Sequence, residues 1–384
     1  MVYEAAEDSL LLASVVKKYA HGRVLDMGTG SGIQAITAAK KKTVTSVLAV
    51  DKDPEAVKTV KELSKKIKHR ELAAATSDLF TRVRGKFDTI IFNPPYLPQD
   101  EGVEDIALYG GKKGYEVVEK FLLASGKHLT RDGCILLLFS SLTNRAKVDE
   151  ILEACLFEHT LEATQHLFME ELYVYKILKN AFLKDLEGHG VTDVHYFDHG
   201  KRGLIYKGKY RGKAVAIKTK RPSSEAFERV ANEARMLKRL ASYRLAPRMC
   251  FATPKYVVYH FVEGPLLLDY LEQASAKQCK DILLACVKQC ALLDRIGLKK
   301  EEMHRPVKHI FIENHKPVMI DFERAHYTIK SHNVTQFVSF LAGGNVRLRL
   351  AEKGIHLPTK TLQKLAQTYQ KGKVEEICRE IMKA

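Results

Sequence analysis

Short apolar runs that stop on polar residues recur through the first half of the chain. Val24-Leu25 stops at Asp26, Val44 to Val50 at Asp51, and Ala73 to Thr76 at Ser77-Asp78. Phe87 to Phe92 stops at Asn93-Pro94-Pro95-Tyr96. Gly28, Gly30 and Gly32 alternate after the first run, and a helical stretch, IQAITAAKK, follows them. Strand, glycine loop, helix and a strand ending in an acid make one βαβ unit, so the pattern predicts an α/β fold with a mostly parallel sheet. Ligands of such sheets bind at the carboxyl ends of the strands. Asp26, Asp51, Asp78 and Asn93 all fall at those ends.

A different pattern begins after Asn180. Leu204-Ile205-Tyr206 and Ala214 to Ile217 read as strands punctuated by Gly200, Gly203 and Gly208, and the second runs into Lys218. The stretch SSEAFERVANEARMLKRL predicts a helix with Glu233 on its inner face. KYVVYHFVEGPLLLDYL predicts strand, connector and helix, and PVMIDFERA places Asp321 after another apolar run. A helix capped by Asn333 then opens a basic, helical tail. The expected organisation is two domains, 1–180 and 190–384, the second a small α+β unit.

Charge sharpens that division. The chain of 384 residues carries a formal net charge of +16, yet its first 180 residues hold equal numbers of basic and acidic side chains. The excess therefore lies in the second part, the better candidate for RNA, a ribosome or another anionic partner, or else simply a solvated lysine-rich surface. Seven scattered cysteines form no CxxC pair, which suggests neither a disulfide framework nor a zinc site. Cys286 and Cys290 share a helix face and read as ordinary buried thiols. No run approaches the length of a membrane span, and no basic segment precedes the first apolar stretch, so a soluble, cytoplasmic protein with no membrane partner is expected.

The chemistry follows from the strand ends. The loop reads DMGTGSG rather than GxGxxG, with Asp26 ahead of the glycines, where a carboxylate can receive an ammonium group. Asp51 suits ribose hydroxyls and Asp78 an adenine amino group. Together they fit S-adenosylmethionine better than a nicotinamide dinucleotide. A planar NH2 is a poor nucleophile because its lone pair is delocalised. The Asn93 side-chain oxygen and the Pro94 carbonyl can each accept one of its hydrogens, Pro95 stiffens the turn, and Tyr96 can lie flat against a planar target. Catalysis would come from orientation and from stabilising positive charge on nitrogen, with no strong base.

VYEAAEDSLLL, DMGTGSG, NPPY and ALYGGKKGYEVVEKFL together resemble the HemK-type methyltransferases, in particular their short archaeal and eukaryotic branch, over residues 2–178. The resemblance implies a class I Rossmann-like fold that methylates the GGQ glutamine of translation termination factors, often with a small zinc-binding activator protein. It implies cofactor contacts from Asp26, Gly28, Gly30, Asp51, Asp78 and Asn93, with Glu7 and Asp8 near the cofactor's carboxylate end. Asn93, Pro94, Pro95 and Tyr96 would hold the substrate, Asn93, Pro94 and Tyr96 serving in catalysis. Relatives carrying NPPY methylate adenine in nucleic acid, and some eukaryotic members methylate lysine, so the acceptor stays open. Ala5 departs from the family's proline.

VAIK, the inner Glu233, FVEG and IDFE in order resemble a small RIO-like atypical kinase, over residues 190–345. That likeness implies ATP with magnesium: Lys218 and Glu233 positioning phosphate, Asp321 on the metal, and Phe261 to Glu263 meeting adenine. The catalytic loop departs from the family, since KKEEMHRPVKHIFIE holds no Asp or Asn. Glu302 is the carboxylate nearest the base position, and His309 stands where the family's Asn would bind the second metal. Active phosphoryl transfer, nucleotide binding without transfer, and a basic docking module that touches RNA or a ribosome all remain open.

Overall fold

The structure is a computed structural model, and it describes residues 7–66, 71–96, 111, 113–199, 203–220, 227–369 and 374–384. Ala5, Gly200 and most of the ALYGGK segment lie outside these residues. Contacts divide the chain into two units. The first is Met1–Tyr196 with Lys209–Arg211, and the second is Phe197–Gly208 with Gly212–Ala384.

The first unit alternates as its apolar runs predict. In order it comprises α1 (Glu7–Tyr19), β1 (Gly22–Met27), α2 (Ile33–Ala39), β2 (Val44–Asp51), α3 (Pro54–Lys66), β3 (Leu72–Thr76), β4 (Phe87–Phe92), α4 (Glu116–Ser125), β5 (Leu129–Ser140), α5 (Arg145–Ala154), β6 (Phe157–His166), β7 (Glu171–Lys179) and α6 (Ala181–Gly188). α3 starts with Pro54 at its first helical position, and carries Glu55 in the first turn and Lys65 and Lys66 in the last. A proline there gives up an N–H that has no intrahelical partner, and the charges oppose the helix dipole. Its Ala56, Val57 and Val60 face the sheet. β4 and the second half of β5 are buried on both faces, which is why they read as continuous apolar runs rather than alternating ones.

The sheet order is β3-β2-β1-β4-β5-β7-β6. The first five strands are parallel, and β7 runs antiparallel to both β5 and β6. The chain moves outward from β1 to β3 and then returns to place β4 on the other side of β1. That reversal is the switch point where open α/β sheets form a crevice. Register pairs Asp26 with Ile91 and Met27 with Phe92, so the glycine loop after β1 and the Asn-Pro-Pro-Tyr turn after β4 emerge side by side.

The chain continues with β8 (Val191–His199), whose residues up to Tyr196 count with the first unit, and β9 (Gly203–Tyr210), most of which counts with the second; the second unit then takes up β10 (Lys213–Lys220), α7 (Phe227–Leu240), β11 (Met249–Ala252) and β12 (Tyr256–His260). α8 (Leu267–Gln273), α9 (Ala276–Arg295), β13 (Leu298–Lys299), β14 (Ile310–Glu313), β15 (Lys316–Met319), a short strand β16 (His326–Tyr327) and α10 (Asn333–Leu341) follow. Its sheet runs β11-β12-β10-β9, with β12 antiparallel to β10 and to β11. α9 begins with a capping box, in which Ser275 and Gln278 exchange side-chain to backbone hydrogen bonds. It ends in a core that holds Cys286 and Cys290 with no exposure. Burial pushes the Cys290 thiol far up, as an inert structural thiol requires.

Two local expectations are corrected. Lys218 lies within β10 rather than at its end. Asn333 does not cap α10: the carboxylate of Asp294, from α9, accepts the backbone N–H groups of Asn333 and Val334 at 2.9 and 3.0 Å. The Asn333 side chain instead donates to Leu298 O and Asp294 and accepts from Lys300 N.

Candidate methyl-transfer site and a second polar cluster

The glycine loop is held by its own backbone and by two acids. Gly28, Gly30 and Gly32 all have positive φ, at 63°, 50° and 81°. At Gly32 a side chain would also meet Val60 at 2.9 Å, so only glycine fits there without strain. Thr29 N donates to Val50 O and Gly30 N to Asp51 Oδ2, at 3.0 and 2.9 Å. Asp26 Oδ2 accepts from Thr29 Oγ1 at 2.7 Å and from Ala35 N at 3.0 Å. Asp26 is therefore the clamp between the loop and α2. Its burial pushes the carboxyl up to about 7, against the pull of those two hydrogen bonds.

Asp51 stands at the tip of β2, its two oxygens tied to Gly30 N and Asp53 N. Asp78 is exposed just past β3, and Ser77 N donates to Asp51 O at 2.8 Å, joining the two strand ends. Three of the four predicted strand-tip residues, Asp26, Asp51 and Asp78, thus border one rim. Asn93 completes it: a Cβ on Gly28 would sit 3.4 Å from the Phe92 ring and 3.9 Å from Asn93 O.

At the turn after β4, Pro94 is buried and Asn93, Pro95 and Tyr96 are half-buried. Asn93 Nδ2 donates to Asp8 Oδ2 at 2.9 Å. Asn93 Oδ1 is shielded from solvent and has no hydrogen-bond partner. Buried acceptors are nearly always paired, so this oxygen is an open position for a donor. Tyr96 O accepts from Thr143 Oγ1 at 3.2 Å, and Thr143 is fully buried after β5. Nothing local in the sequence marks Thr143, because its partner is 47 residues away. The two acids of α1 part company. Glu7 is exposed and accepts from Gln165 of β6, away from the rim, whereas Asp8 is 4% exposed and reaches Asn93.

The second unit has its own polar cluster. Lys218 Nζ lies 2.7 Å from Glu233 Oε2, 2.7 Å from Asp321 Oδ1 and 3.2 Å from Glu323 Oε2. Burial works to lower the Lys218 amine, but Glu233 and Asp321 hold it well above its ordinary value. Burial likewise pushes up on Asp321, yet Lys218 and Lys300 keep that carboxyl below its usual range. Asp321 has a left-handed backbone, φ 63°, and its carbonyl accepts from the fully buried Lys300 Nζ at 2.5 Å. Lys300 also sits over the Phe322 ring at 4.8 Å and 3.5 Å from Glu302 Oε2. His309 Nδ1 faces Asp321 Oδ2 at 3.6 Å and has no hydrogen-bond partner. Lys218, Glu233, Asp321, Glu302 and His309 thus lie in one cluster. Lys300 and Glu323, neither singled out by sequence, complete the charge balance. Glu233, Asp321 and Glu323 present oxygens close enough to share a cation. Of the connector, Glu263 N donates to Glu313. Among the described residues, no helix is long and apolar enough to cross a membrane.

Comparison with known proteins bears on the first unit. A family model described as the methyltransferase small domain matches residues 5–169. A putative protein N5-glutamine methyltransferase of Methanocaldococcus jannaschii is 38% identical over 178 residues, spanning 45% of this chain and 89% of that protein. A release factor glutamine methyltransferase of Lactococcus lactis is 34% identical over 125 residues, 30% of this chain and 46% of that protein. The chain therefore spans less than half of that bacterial relative. Among solved structures, the E. cuniculi Mtq2–Trm112 complex, responsible for the methylation of the translation termination factor eRF1, aligns with a TM-score of 0.38 and 25% identity, over 46% of this chain and 98% of that one. Through its first unit, the chain belongs to the methyltransferase small-domain family, adenosylmethionine-dependent enzymes that include the protein N5-glutamine methyltransferases.

Proposed function

We propose that the first unit methylates the side-chain amide of a protein glutamine, with a translation termination factor as substrate. The observation that carries this reading is the unpartnered, shielded Asn93 Oδ1 beside the glycine loop. The residues present fit S-adenosylmethionine: positive-φ glycines leave room for close backbone approach, and an acid stands at each neighbouring strand tip. When bound, the cofactor supplies an electrophilic methyl group on a sulfonium. Asn93 Oδ1 and the Pro94 carbonyl accept the two hydrogens of the acceptor NH2, which draws its lone pair out of conjugation. Tyr96, held through Thr143, walls the acceptor. No protein group needs to remove a proton before attack, since the nitrogen sheds one after it has gained the methyl group. The names of the archaeal and bacterial relatives favour glutamine over adenine.

The test is incubation of the whole chain with labelled S-adenosylmethionine and either a GGQ-containing termination factor or RNA. Label on the factor's glutamine supports the reading. Label on RNA adenine with none on the factor overturns it.

For the second unit we propose a RIO-like, kinase-type nucleotide site. Lys218, oriented by Glu233, would meet phosphate, Asp321 would meet magnesium, and Glu302 would stand nearest an acceptor hydroxyl. ATP–magnesium binding that is lost in both Lys218→Ala and Asp321→Ala is the expected result, with autophosphorylation deciding between active and inactive forms. Unchanged binding in both variants rejects the site.

A further inference from the structure

We propose that Asp8 is the positioning residue of the methyl-acceptor site, acting through Asn93: its carboxylate dictates which end of the Asn93 amide faces the acceptor. This rests on the methyl-transfer reading above. An asparagine side chain carries a donor end and an acceptor end of nearly the same size, and rotation by 180° exchanges them. Only the oxygen can receive a hydrogen from an incoming NH2. With the NH2 end forward, the site would present a donor to a donor. Something must therefore choose.

The choice is visible in the structure. Asp8 Oδ2 lies 2.9 Å from Asn93 Nδ2, and a carboxylate oxygen only accepts. The flipped amide would bring two acceptor oxygens to that distance with no proton between them. The pairing leaves Asn93 Oδ1 shielded and without a partner. The bond is also charge-assisted, and such a bond draws electron density through the amide toward its oxygen, strengthening it as an acceptor.

Asp8 is itself immobilised. It is 4% exposed and the adjacent Ser9 is 3% exposed. Ser9 O accepts from Gln34 Nε2, of α2, at 2.8 Å. The first turn of α1 thus receives one amide NH2 from the element after the glycine loop and another from the turn after β4. Gln34 Oε1, like Asn93 Oδ1, is buried and unpartnered. The same device operates twice: an acceptor on α1 takes the NH2 end of an amide and leaves its oxygen open. Glu7, one residue earlier, is exposed and turned to Gln165, so the effect belongs to Asp8 alone.

A double-mutant cycle on the whole chain tests this, using Asp8→Ala, Asp8→Asn, Asn93→Ala and the Asp8→Ala/Asn93→Ala pair. The acceptor is whichever substrate the wild type methylates. Asp8→Ala should lower kcat about 10- to 100-fold, the usual effect of removing a group that orients a functional one. Cofactor affinity by calorimetry should stay within about twofold. Asp8→Asn keeps an acceptor but also offers a donor, so it should fall between wild type and alanine. On the Asn93→Ala background, Asp8→Ala should have no further effect, because there is no amide left to orient. Multiplicative losses in the pair, or a loss of cofactor affinity equal to the loss of kcat, would overturn the proposal. If no acceptor is methylated, the glutamine reading falls but this inference is still decided by NMR of 15N-asparagine-labelled protein. The Asn93 side-chain NH2 should exchange slowly with solvent in the wild type, fastest in Asp8→Ala and at an intermediate rate in Asp8→Asn. Equal exchange rates in all three would overturn it.

Discussion

Asp26→Asn isolates one titration whose sign the structure sets. The Asp26 carboxyl is pushed up from 3.8 to about 7 by burial, even with hydrogen bonds from Thr29 and Ala35. The folded state therefore holds this proton more tightly than the unfolded chain. Stability from Asp26 is fully present below about pH 4, falls as pH rises toward 7, and is level above it. About three pH units at about 1.4 kcal/mol each give a loss on the order of 4 kcal/mol across that span. The asparagine variant cannot ionise, so its first unit should lack this component of the pH dependence. Because the chain has two units, the assay must report on one of them. Urea titrations read by hydrogen exchange of peptides from β1 and α2, at pH 4, 5.5, 7 and 8, do so. Parallel stability curves for wild type and variant would refute the reasoning. The same pair of proteins tests the ammonium role assigned to Asp26 from sequence. If Asp26 meets the cofactor's ammonium, wild-type affinity for S-adenosylmethionine rises with pH up to about 7 and the variant shows no such rise. If Asp26 only clamps the loop to α2, both depend on pH alike.

Three further outcomes follow from particular contacts. Gly264→Ala places a Cβ 2.1 Å from Ile312 O at a residue with φ 140°, so the second unit should lose about 3 kcal/mol or more, measured by urea denaturation with hydrogen exchange of α9 peptides as the probe. Lys218→Ala leaves Glu233, 1% exposed, without its cation and should destabilise that unit by about 3–5 kcal/mol, whereas Lys218→Ala with Glu233→Ala should recover part of the loss; equal melting of wild type and single variant contradicts the buried pair. Thr143→Val deletes the donor to Tyr96 O and should slow methyl transfer about 3- to 10-fold with cofactor affinity unchanged, the scale of one hydrogen bond; unaltered steady-state rates would show that Thr143 does not hold the turn.

Much of this protein was set locally and could be read from the sequence. Apolar runs ending in Asp26, Asp51, Asp78 and Asn93 specify strands whose polar tips share one edge, because a parallel sheet with helical crossovers points every strand the same way. The positive-φ glycines follow from the same local chemistry. What tertiary structure alone decided is which distant groups meet. Asp8 reaches Asn93 across 85 residues, and Thr143 holds the turn after β4. Asp294 rather than Asn333 caps α10, and Lys300 grips the Asp321 carbonyl. Periodicity records which face of an element is buried, but not which element lies against it. A carboxylate such as Asp8 becomes an orienting group only once sheet order and helix packing bring an amide to its side.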